Sequence, residues 1–119
     1  MEDKKLEKYI KLEQEISNIN IRKGSPATRK IYKRFILKFI RILLENDMEI
    51  SSITSIKNEH LKQYADIEIT KGRSIDMVIK ELRGVYFYWD YINRNTASFR
   101  RKALVDIRIL EKNLRGWHK

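Results

Sequence analysis

The chain has 119 residues, of which 42% are hydrophobic, a size and composition that suit one compact core and leave no room for two full domains. Lys and Arg outnumber Asp and Glu by 26 to 16, a formal charge of +10 that favours a polyanionic partner, nucleic acid first. The absence of cysteine excludes disulfides and thiolate metal sites; no apolar run reaches a membrane span, and the charged start Met1-Glu2-Asp3-Lys4-Lys5 is unlike a signal core, so a soluble cytoplasmic protein is expected.

With four Gly and one Pro, the few turn signals divide the chain into helical stretches. Residues 2 to 17 read as a weakly amphipathic helix, with Leu6, Tyr9, Ile10 and Ile16 at rough helical spacing, forming a loosely packed N-terminal arm over residues 1–21. In Lys23-Gly24-Ser25-Pro26 the serine suits an N-cap and the proline the first helical position, where its missing N–H costs nothing.

From Ala27 to about Glu45, stepping 100° per residue gathers Ile31, Phe35, Phe39, Ile42 and Leu43 on one apolar face, with Tyr32 and Ile36 at its edge. Lys30, Lys33, Arg34 and Arg41 lie opposite, with Lys38 at the margin, and no acidic residue occurs between Arg22 and Arg41. Asn46 to Thr54 is turn-like. Ile56, Leu61 and Tyr64 then mark a short helix, capped by Asn58 or a nearby Ser or Thr.

In Lys71-Gly72-Arg73-Ser74 the glycine ends one element and the serine caps the next. The following helix, Ile75 to about Ile92, has a core stripe of Ile75, Val78, Ile79, Leu82, Val85, Tyr86 and Trp89. Its far side carries Lys80, Arg83, Gly84, Phe87, Tyr88 and Tyr91, large aromatic groups that need a cover. A last helix, about Ser98 to Leu114, offers Phe99, Ala103, Ile107, Leu110 and Leu114 as that cover; a partner surface is the alternative.

Two patterns, Ser25-x-x-Thr28-x-x-x-Tyr32-x-x-x-Ile36-x-x-Phe39 and Gly72-x-Ser74-x-x-x-Val78-x-x-x-Leu82-x-x-Val85-x-x-Tyr88-Trp89-x-Tyr91-Ile92, together resemble the core-binding, SAM-like domain of phage integrases and other tyrosine recombinases over residues 22–95. Asn58 and Ile75 stand where that family often has Pro, a departure that bears on helix starts. The resemblance implies an all-α bundle of four to five helices that clamps double-stranded DNA, with residues 96–119 packing on or extending it. It singles out Lys23, Ser25, Thr28, Arg29, Lys30 and Lys33 on the first helix and Arg73, Ser74, Lys80 and Arg83 on the second; the helical angle of Thr28 lies within the apolar face, so local capping is its expected role. It also makes a recombinase catalytic domain or full-length recombinase a second expected partner.

A recombinase's own chemistry needs a tyrosine nucleophile with Arg, His and Lys around the transferring phosphate. The ending Leu114-Arg115-Gly116-Trp117-His118-Lys119 has no His-x-x-Arg pattern and no tyrosine motif after it, so no catalysis is expected. His60 has no second His or Cys at metal-ligand spacing and reads as structural; Glu13, Glu15, Glu59 and Glu81 read as solvated helix charges. No metal or cofactor is expected. The rival reading is a helical protein-interaction module, docking through Phe87, Tyr88 and Tyr91 or the final helix.

Overall fold

The computed structural model describes residues 2–19, 21, 24–94, 112, 115 and 116. Among them the regular elements are all helical: α1 (Asp3–Ser17), α2 (Pro26–Glu45), a 3₁₀ turn (Ile53–Ser55), α3 (Asn58–Thr70) and α4 (Ile75–Arg94). The expected last helix and the segment 96–119 lie almost wholly outside the described residues.

α1 is docked rather than loose. Leu12 and Ile16 are buried in the common core, whereas Leu6 and Ile10 point outward. The docking is reinforced by Glu15, whose Oε1 accepts the Ile53 N–H at 3.0 Å, so this carboxylate supports the 3₁₀ turn instead of being a solvated charge.

α2 starts as its sequence dictates. Ser25 Oγ accepts the Thr28 N–H at 3.1 Å, and its hydroxyl also donates to Thr28 Oγ1, with Pro26 opening the helix. The buried sector is rotated from the expected one: Ile36, Phe39, Ile40, Leu43 and Leu44 are buried, while Ile31 is exposed and Phe35 half-buried. The physical reason is that α1 as well as α4 covers α2, so the apolar sector that wins is the one two neighbours share.

α3 follows Lys57, and Asn58 is its first helical residue rather than its cap. His60 takes over the capping: its Nδ1 accepts the Lys57 N–H at 2.9 Å and its Nε2 lies 3.0 Å from the Glu49 carbonyl, an arrangement that fits a neutral ring protonated at Nε2. The helix ends in a Schellman motif, with Gly72 at φ +90° and the Gly72 and Arg73 N–H groups donating to the Ile69 and Glu68 carbonyls. Ser74 then caps α4, its Oγ accepting the Met77 N–H at 3.2 Å.

α4 buries Val78, Ile79, Leu82, Val85, Tyr88 and Trp89. Ile75 and Tyr86 are only half-buried. Of the far-side aromatic groups, Phe87 and Tyr88 are covered by α2, because Gly84 presents no side chain and lets α2 approach. A Cβ there would stand 2.9 Å from Phe35 Cδ2 and 3.1 Å from Tyr32 Cδ1. Tyr32 meets Phe87 at a 5.1 Å centroid distance, and Phe87 lies edge-on to Tyr88.

Candidate nucleic-acid interface

The basic residues of the chain divide into those that are spent on internal carboxylates and those that are not. Glu68 of α3 and Glu81 of α4 are both buried. Lys38 Nζ lies 2.8 Å from Glu68 Oε1 and 2.9 Å from Glu81 Oε2. Arg73 bridges the same two carboxylates, 3.1 Å from Glu68 and 3.3 Å from Glu81, and Lys71 adds a 3.4 Å contact to Glu68. The Tyr64 hydroxyl donates to Glu81 at 2.9 Å. Two buried carboxylates are tolerable here because three cations and a phenol surround them.

The titration behaviour follows from this packing. Burial pushes the Glu68 carboxyl up, but its hydrogen bonds and attraction to Lys38 and Lys71 outweigh that and leave it below the ordinary carboxylate value. For Tyr64, burial acts in the same direction as the neighbouring Glu81 and Glu68 charges, so the phenol is held far above its ordinary value and stays neutral.

One expectation is corrected by this network: Glu81 is no solvated helix charge. Arg73, one of the expected DNA-contact residues, is half-exposed and has its charge compensated by Glu68 and Glu81. The Lys38–Glu81 pairing is not visible locally, since the two residues are separated by 43 positions.

The remaining expected residues fall as follows. Lys23 lies outside the described residues. Ser25 and Ser74 are exposed helix caps. Thr28 bonds to Ser25 within the cap, in line with a local role. Arg29 is half-buried; Lys30 is exposed and Lys33 half-exposed on the next turn of α2. Lys80 and Arg83 are exposed on α4.

Arg34, one turn beyond Lys30, is also exposed and extends the same face; its i, i+4 spacing from Lys30 is the sequence signal that places it there. Over its 20 residues α2 carries six basic side chains and one acid, Glu45, which pairs with Arg41 at the helix's far end. Among the described residues, Lys30, Lys33, Arg34 and Lys80 make no ion pair, which leaves the first half of α2 strongly positive.

Among the described residues there is no cluster of His, Cys, Asp and Glu fit to hold a metal ion, and no helix long and apolar enough to cross a membrane. No family model, curated protein or solved structure matches the chain.

Proposed function

We propose that this chain is a non-catalytic helical module that binds duplex DNA through the N-terminal half of α2, assisted by Lys80 and Arg83 of α4. The observation that carries this reading is the division of charge: Lys38 and Arg73 are consumed by buried carboxylates, while Lys30, Lys33 and Arg34 are presented without acidic partners on consecutive turns. An uncompensated cationic face of this kind favours a polyanionic partner over the dispersed, mixed charges of a merely soluble surface.

The relation to the SAM-like core-binding domain of tyrosine recombinases rests on the Ser25–Phe39 and Gly72–Ile92 residue patterns. The capped helix starts at Ser25 and Ser74 and the four-helix arrangement are compatible with it. On this reading the module serves DNA integration or recombination, or its regulation, alongside a catalytic domain supplied elsewhere. The protein-docking alternative loses part of its basis, because Phe87 and Tyr88 are packed against α2.

An anisotropy titration of generic duplex DNA at two salt concentrations tests the proposal. Binding at low salt should weaken with a log–log slope of about −0.9 for each phosphate neutralised. Absence of binding at low salt would overturn it.

A further inference from the structure

A shallow cleft between the α1–α2 connection and α4 is lined by Ile19, Ile21, Arg29, Lys30, Lys33 and Tyr88. Among the described residues that line it, three are cationic and none is acidic. Arg29 is the fixed member. Its Nη1 donates to the Ile21 carbonyl at 2.8 Å, its N–H bonds to the Ser25 carbonyl, and its own carbonyl accepts from the Tyr88 hydroxyl at 3.5 Å.

We infer that this cleft is a phosphate seat, in which Arg29 is the orienting donor and Lys30 and Lys33 supply flanking charge. This deepens the duplex-binding reading and rests on it for the identity of the natural ligand. A guanidinium carries five N–H donors in a rigid fork, and only one position here is committed to protein. The remaining donors are already ordered, so an oxyanion binds without the cost of immobilising a long side chain. Three like charges around one cleft also repel each other, and a phosphate relieves that repulsion. Lys38 and Arg73 do not share this property, because Glu68 and Glu81 neutralise them.

The ligand chemistry is a phosphate oxyanion, from either an internal phosphodiester of a duplex or a terminal phosphate. The full chain is titrated with duplexes that carry or lack 5′-phosphates, and its melting is followed in pyrophosphate and in sodium chloride at equal ionic strength. Arg29→Gln, which removes the charge but keeps a polar side chain, and the double change Lys30→Gln with Lys33→Gln are compared with Lys57→Gln, an exposed control at the start of α3.

The seat predicts a loss of about fivefold or more in duplex affinity for Arg29→Gln and a salt slope flatter by about one. It also predicts that pyrophosphate raises the melting temperature of the parent chain and of Lys57→Gln but not of Arg29→Gln or the double variant. Equal affinity for both duplex ends assigns the seat to a backbone phosphate; preference for the phosphorylated end assigns it to a terminus. Duplex binding that is unchanged in Arg29→Gln and the double variant overturns the seat and leaves the DNA reading intact. Arg29-dependent protection by pyrophosphate with no duplex binding overturns the DNA reading and leaves the seat.

Discussion

Gly84 of α4 stands so close to Phe35 of α2 that a Cβ on the glycine would lie 2.9 Å from the Phe35 ring carbon Cδ2. This one missing side chain sets the α2–α4 contact on which the aromatic cluster and the exposed basic face of α2 depend. It also converts a residue that weakens helices by about 1 kcal/mol relative to Ala into a packing requirement.

Gly84→Ala should therefore destabilise the protein despite its better helix propensity. Overpacking costs about 1–3 kcal/mol, against about 1 kcal/mol regained, so a net loss near 1 kcal/mol, or about 4 °C in melting temperature, is expected. Gly84→Leu should cost about 3 kcal/mol or more, since Tyr32 Cδ1 and Phe35 Cβ close the same space. Thermal melting by circular dichroism measures both.

Tyr64→Phe removes the hydroxyl that donates to Glu81 while keeping the ring that packs 5.3 Å from Phe39. A hydrogen bond to a charged partner contributes about 1.5–3 kcal/mol, and the Phe variant should lose an amount in that range in chemical denaturation with an unchanged m-value.

Acid stability should depend on Glu68. Folding lowers its carboxyl below the ordinary 4.5, so its stabilising contribution is complete above that value and disappears as pH falls through the lower folded-state range. Glu68→Gln should be less stable than the parent at pH 7 and should show a shallower decline on acidification. Melting temperatures from about pH 7 to about pH 2.5 follow the two curves; parallel curves would exclude this role.

Charge reversal separates surface from interior. Lys30→Glu with Lys33→Glu should cut duplex affinity at least tenfold while moving the melting temperature by no more than about 2 °C, because neither side chain is ion-paired. Arg73→Glu should do the opposite of a surface change. It places a third carboxylate beside Glu68 and Glu81 and should cost several kcal/mol, about 3–5 for breaking a buried pair.

The helix starts were legible in the sequence because their causes are local. Ser25-Pro26 and Gly72-Arg73-Ser74 carry their cap and stop chemistry within a few residues, and both act as their residue types dictate. The α2 basic stripe was legible for the same reason. What was illegible depended on distant neighbours: Ile31 reads as core and Ile36 as edge until the packing of neighbouring helices reverses that order, and Glu81 looks solvated until Lys38 and Tyr64 arrive from other helices. Gly84 read as one small residue among aromatics, and only the approach of Tyr32 and Phe35 shows why a side chain is excluded there.

Lys38, Glu68 and Glu81 come from three different helices, and Lys38 reaches both of its carboxylates only when all three have docked. A partly assembled bundle would leave at least one of these carboxylates without its Lys38 contact, which disfavours such a state. The network thus ties the three helices to one another, and α2, α3 and α4 should gain and lose their structure together, in a single cooperative transition.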